Sequence, residues 1–195
     1  MRSFIHDRLY GAPDKNKNLH GGYFTKTEHQ VGKLSEPIQF EKCLGYAAFH
    51  TELQRVYPSN AWVTPSECFK PYFSYTVANC MLNQLENKRE KKLRVMEIGP
   101  GTGTFADRLL DFMKNYDLSL YRNCEYTFVE ISPQLAAECE SLMRQNHRQL
   151  LESGQIKILN GSVLDVHTKI KDFCFVVGNE ILDNMPHDRL YSESH

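Results

Sequence analysis

The 195-residue sequence predicts an α/β fold, a mostly parallel sheet behind an N-terminal helical extension. Three observations predict it. Short apolar runs at 93–98, 126–131, 156–159 and 173–177 alternate with amphipathic stretches. The first run feeds directly into Gly99, Gly101 and Gly103. Upstream of residue 91 that alternation is absent, and the spacing of apolar residues is helical. The chain therefore divides into an extension, 1–90, and an α/β domain, 91–195.

Residues 11–36 read as loop, punctuated by Gly11, Pro13, Gly21, Gly22 and Gly32. Over 38–57 the apolar positions Phe40, Leu44, Ala47, Ala48, Leu53 and Val56 fall mostly at three- and four-residue steps, so a helix is expected there. Pro58 and Asn60 end it. Thr64-Pro65-Ser66-Glu67 has the form of a helix start, with Thr64 as cap, Pro65 at the first position and Glu67 closing a capping box. Pro71 should kink or restart that helix. It then continues through Tyr75, Ala78, Met81, Leu82 and Leu85 to a charged run over 86–92, read as a solvated helix end. Beyond it come a strand over 93–98, a helix over 102–116, a strand over 126–131, a helix over 133–151, and strands over 156–159 and 173–177. The last strand is so apolar that it is expected at the centre of the sheet.

Composition narrows the function. Lys and Arg total 23 against 24 Asp and Glu, a net charge of −1, which argues against bulk nucleic acid or an anionic membrane as partner. No apolar run approaches the roughly 20 residues that span a bilayer. The six cysteines form no C-x-x-C pair, and no short Cys/His spacing offers a metal site. They read as reduced thiols, most of them packed as small hydrophobes. The N-terminus lacks the apolar core of a secretory signal.

The chemistry is concentrated after residue 94. In Glu97-Ile98-Gly99-Pro100-Gly101-Thr102-Gly103 a strand runs into a glycine turn and then a helix. Glycines permit positive φ and a close approach of ligand to backbone, and the helix start offers unpaired N–H groups. That is a nucleotide-type site at the carboxyl edge of the first strand. Gly101 to Ala106 fits the dinucleotide pattern G-x-G-x-x-A. Glu97-x-Gly99-x-Gly101-x-Gly103 resembles more closely the first motif of class I S-adenosylmethionine methyltransferases, in which the acidic residue lies near the ligand's ammonium group. Glu130, ending the second strand, can accept both hydroxyls of a ribose, which either ligand carries. Ser162 and Val163, after the third strand, are candidates to flank an adenine. After the fourth strand, Glu180 and Asp183 stand three apart, on one face if a helical turn follows. Such a carboxylate pair suits a cationic acceptor, which it can hold, orient and relieve of a proton.

Together these segments resemble the MidA-like family of S-adenosylmethionine-dependent methyltransferases, which includes the mitochondrial complex I assembly-factor protein arginine methyltransferases. Leu9-Tyr10 through Gly22-Tyr23-Phe24-Thr25-Lys26 is similar to the family's opening pattern. Trp62 to Pro71 resembles its "TP-E" segment. The glycine motif, the Val129-Glu130-Ile131-Ser132-Pro133 segment and Asn179-Glu180-Ile181-Leu182-Asp183-Asn184-Met185-Pro186 follow in family order. The resemblance implies a Rossmann-like, seven-stranded class I fold with S-adenosyl-L-methionine as cofactor. It implies Glu97, Gly99, Gly101, Gly103, Glu130, Ser162 and Val163 as cofactor residues, and Glu180 and Asp183 as catalytic residues. Protein arginine is the implied acceptor, in a subunit of complex I, and the mitochondrion the implied location, with the cytoplasm as alternative. Two rival readings are a binding module without turnover and an NAD-dependent oxidoreductase. Against the latter, no Tyr-x-x-x-Lys or comparable hydride-transfer constellation is present. The fourth strand ends near Gly178, and three further strands with their helices need about 60–100 residues. The last strands of such a sheet are therefore expected to be missing, and the chain to be truncated at its C-terminus.

Overall fold

The computed structural model describes residues 2–11, 22, 31–59, 61–167 and 169–186. Much of the 11–36 loop, the Tyr23 to Lys26 part of the opening pattern and the last nine residues lie outside them. The described helices are α1 (Arg2–Tyr10), α2 (Tyr46–Val56), α3 (Pro65–Cys68), α4 (Tyr72–Lys88), α5 (Thr104–Tyr116), α6 (Leu118–Arg122), α7 (Pro133–Asn146) and α8 (Arg148–Glu152). The strands are β1 (Arg94–Ile98), β2 (Glu125–Glu130), β3 (Ile156–Asn160) and β4 (Phe175–Gly178).

All the strand pairs are parallel, and the order is β3-β2-β1-β4. The α/β sheet expected from the alternation is thus present. The chain steps outward from β1 to β2 to β3, then crosses back to place β4 on the other side of β1. That reversal opens a crevice at the carboxyl ends of β1 and β4, where α/β sheets bind ligands. Burial alternates along β1, with Val95 and Glu97 buried and their neighbours half-buried. Val95 joins Tyr126 and Phe128 from β2, Leu109, Leu110 and Met113 from α5, and Ala78, Met81, Leu82 and Leu85 from α4 in one core. The extension's own core is smaller, built on Leu34, Ile38, Val56 and Val63 with Phe40, Phe49 and Leu53 packed around it. α4 precedes residue 90 but packs into the core of the sheet.

Several local expectations are corrected. The helix expected over 38–57 is a short 3-10 turn at Phe40–Lys42 followed by α2, because Gly45 stands between them at φ 85°. Thr64 precedes α3 without a side-chain capping bond, and the Glu67 carboxylate points elsewhere. The helix expected over 102–116 begins two residues later, because Gly103 at φ 82° holds the turn open until Thr104. The helix expected over 133–151 breaks at His147 into α7 and α8. His147 is buried there, its ring bonded to the Tyr121 hydroxyl at 3.0 Å and to Asp107 O at 3.2 Å. α6 has no counterpart in the sequence reading. Its signal is Asp117, whose carboxylate caps the Leu120 N–H at 2.9 Å. Finally, β4 is expected at the centre of the sheet, yet among the described residues it pairs only with β1 and leaves Val176 57% exposed.

Candidate functional site

β1 ends in a turn of alternating left-handed glycines, Gly99 at φ 63°, Gly101 at 58° and Gly103 at 82°. These φ values make glycine necessary, but the surroundings separate the three roles. A Cβ on Gly103 would meet Cys139 Sγ at 2.9 Å, so this glycine lets α5 and α7 approach. A Cβ on Gly101 would meet nothing within 4 Å, so its face is open to a ligand. A Cβ on Gly99 would collide with Ile181 Cδ1, which rests directly on it. The Gly99 N–H is fixed to Val129 O at 2.8 Å, anchoring the turn to β2.

Glu130, the last residue of β2, is 4% exposed and faces this turn. One carboxylate oxygen accepts the Gly101 N–H at 3.1 Å, the other the Ser132 N–H at 2.9 Å. These two backbone bonds aim Glu130 at the turn. Next to it, a cavity of about 380 Å³ extends from Gly99, Val129 and Glu130 to Ser162, Val163 and Leu164. Ser162 and Val163 thus line the same cavity as Glu130. The Ser162 hydroxyl also caps the 3-10 turn Val163–Asp165, accepting the Leu164 N–H at 3.2 Å.

Glu97 is 2% exposed and sits one residue before the end of β1. The Tyr126 hydroxyl donates to it at 2.7 Å. Burial drives its pKa up to about 8; the Tyr126 bond opposes this and the Glu130 charge adds to it. At pH 7 the group is mostly protonated, and a cation placed beside it would ionise it. It lines a small hollow with Thr64, Ser66, Thr102, Thr104, Asn179 and Glu180.

The far wall is the segment after β4. The helix that would have put Glu180 and Asp183 on one face reduces to a single 3-10 turn, Leu182–Asn184. Glu180 precedes it at φ 53°, its carbonyl held by the Asn184 side chain at 2.7 Å. Both carboxylates reach solvent. Partial burial, then the Asp183 charge, raises the Glu180 pKa.

Three residues that sequence reasoning left out of the site belong to it. Tyr10, from α1, donates to Asn184 O at 2.7 Å and lines the large cavity. Burial, then the Glu130 charge, raises its pKa. Ile181 rests on Gly99 and lines the same cavity. Glu67 braces the glycine turn from outside. Tyr10 and Ile181 carry no local signal of their own, since both roles come from contacts distant in sequence.

The residues fit the cofactor that the resemblance implies. The cavity has the volume of a small-molecule site, in the range of about 300–1,000 Å³. It is mostly apolar, as a base requires, with an aimed carboxylate, Glu130, suited to a ribose, and an open glycine beside that carboxylate. No group of three or more metal-ligating side chains gathers among the described residues.

Residues 76–195 match the family model described as "Putative S-adenosyl-L-methionine-dependent methyltransferase". A COG1565 superfamily member from Burkholderia thailandensis, crystallised with S-adenosyl-homocysteine, is 29% identical over 64% of this chain and 29% of its own, with a TM-score of 0.48. A second COG1565 structure from that organism is 30% identical over 60% of this chain and 28% of its own, with a TM-score of 0.45. The chain thus spans less than a third of either. No curated protein matches it. With the family model covering more than half of the residues, the chain belongs to this family of S-adenosyl-L-methionine-dependent methyltransferases.

Proposed function

We propose that this chain carries the cofactor site of a protein arginine methyltransferase, with S-adenosyl-L-methionine as donor and a subunit of respiratory complex I as acceptor. The mitochondrion is the location that goes with that substrate. The observation that carries the reading is the placement of Glu130 beside the open Gly101, in a pocket that Glu180 also lines.

Gly101 and Glu130 hold the sugar end of the cofactor, Ser162 and Val163 flank the base, and Glu97 answers the positive end. When bound, S-adenosyl-L-methionine would supply an electrophilic methyl group, the methyl–sulfur bond breaking to leave the neutral thioether S-adenosylhomocysteine. The remaining work falls to the chain. Asp183 and Glu180 attract and orient a guanidinium, whose charge and planar donors match paired carboxylates. Methylation needs that nitrogen aligned for an in-line displacement, so orientation supplies much of the rate. The nitrogen loses a proton as it gains a methyl, and Glu180, with its raised pKa, is the carboxylate suited to take it.

Isothermal titration with S-adenosylhomocysteine tests the cofactor half, and saturable binding is expected. Labelled S-adenosyl-L-methionine with arginine-containing and arginine-free peptides tests the acceptor half. Label on lysine or carboxylate in place of arginine would overturn the arginine assignment while leaving the methyltransferase reading intact.

A further inference from the structure

Glu67 is among the most buried charged side chains, 1% exposed, and nothing in the cofactor roles above uses it. Its sequence context reads as a capping box, yet its carboxylate leaves α3 altogether. One oxygen accepts the Leu34 N–H at 2.9 Å and pairs with Lys70. The other accepts the Thr104 hydroxyl at 2.7 Å. Thr104 is the first residue of α5, directly after Gly103. Because its proton goes to Glu67, its oxygen is left to accept from the Thr102 hydroxyl, 3.2 Å away. Thr102 and Thr104 are both buried, and both line the small hollow that holds Glu97.

A buried carboxylate with these partners is an ordered object. Each oxygen is satisfied, one by the extension and one by the glycine turn, and the charge is balanced by Lys70. Loss of either side would leave a buried charge short of donors. The line Glu67–Thr104–Thr102 therefore fixes the rotamers of two hydroxyls on the floor of the turn. It does so from a part of the chain that precedes the sheet by some thirty residues.

We infer that Glu67 is a positioning residue for the cofactor turn, acting through Thr104 to hold Thr102 and the start of α5 in their binding geometry. The inference rests on the cofactor reading of this turn and adds to it a residue that touches no cofactor. It also gives the extension a task, since Leu34 and Lys70 hold the carboxylate from the other side.

The test combines titration with S-adenosylhomocysteine and native-state hydrogen exchange over residues 101–107, on the full 195-residue chain. Thr104→Val removes the hydroxyl and keeps the shape. It should weaken binding roughly five- to tenfold, the scale of one lost buried hydrogen bond, and speed exchange across the turn. Thr104→Ser restores the hydroxyl and should bring both readouts back to within about twofold of wild type. Glu67→Gln should match Thr104→Val, and the double variant should be no weaker than the worse single, because the two act through one bond. Unchanged affinity in Thr104→Val at normal folding would overturn the inference, as would additive losses in the double variant. If wild type itself does not bind, the cofactor reading fails with it. Exchange that is equally slow in Thr104→Val and wild type would then refute the clasp by itself.

Discussion

The Tyr126 hydroxyl donates to the Glu97 carboxyl group at 2.7 Å, across the paired strands β2 and β1 and within the core. This bond joins a residue read as part of the cofactor site to one read as plain strand. It also accompanies a carboxyl pKa of about 8, against 4.5 ordinarily.

A pH dependence follows. The folded state holds the Glu97 proton more tightly than the unfolded chain does. Its contribution to stability is complete below about pH 4.5, declines as pH rises, and is lost above about 8. Urea midpoints measured between pH 5 and 9 should fall with pH in wild type. In Glu97→Gln that decline should flatten, and an unchanged slope would remove Glu97 as its source. Binding of a cationic ligand should run the other way, tightening with pH up to about 8 and releasing a proton. Titrations in buffers of different ionisation heat would detect that proton.

Gly101 and Gly103 should respond differently to alanine, although both sit at positive φ. Gly103→Ala places a methyl group 2.9 Å from Cys139 Sγ and should destabilise the fold by about 1–3 kcal/mol. Gly101→Ala projects its methyl group into open space and should cost only about 1 kcal/mol of stability. On the proposed cofactor reading, its main effect should be on S-adenosylhomocysteine affinity. Thermal melts beside ligand titrations separate the two, and equal binding losses at equal stability would refute the division.

Asp183→Asn should leave the Kd of S-adenosylhomocysteine within about twofold and lower methylation roughly ten- to a hundredfold, as expected for a charge-assisted contact to a guanidinium. Loss of cofactor binding would instead move Asp183 to the donor side. Glu180→Gln should also remove the rise in rate with pH that a proton-accepting carboxylate gives as it ionises.

Asp107, in the first turn of α5, is 3% exposed. Burial pushes its pKa up, but hydrogen bonds from His147, Asn146 and Arg108 outweigh burial and bring it down to about 2. That stability is present above about pH 3.8 and is lost as pH falls toward 2. Asp107→Asn should therefore be less stable than wild type at pH 6 and converge on it near pH 2, as followed by circular dichroism.

How much of this was legible in the sequence depended on range. The glycine turn and Glu130 were readable because strand, turn, helix and strand follow one another within about 35 residues. The helix expected from residue 133 does begin at Pro133, and the Ser132 hydroxyl caps the Leu135 N–H at 3.4 Å. Glu67 was misjudged because a capping box is a local pattern, and a carboxylate that can reach Thr104 and Leu34 has stronger partners than its own helix end. Ile181 and Tyr10 stood inside segments that carry the family resemblance, but nothing near them states that one covers Gly99 and the other reaches Asn184. The break at His147 was invisible for a similar reason: the ring is fixed by Tyr121 and Asp107, far from it in the chain.

The strand order carries one more consequence, for how the molecule comes into being. β1 precedes both of its partners in the chain, and they arrive late. Arg94 aligns with Glu125, about thirty residues on, and Ile98 with Gly178, about eighty residues on. Parallel pairing of this kind closes long loops before any contact rewards them, which makes folding slow. The glycine turn hangs from the end of β1 and takes its shape from Val129 and Ile181. The glycine turn thus takes its final shape only after the segment around Ile181, about eighty residues downstream, has been synthesised.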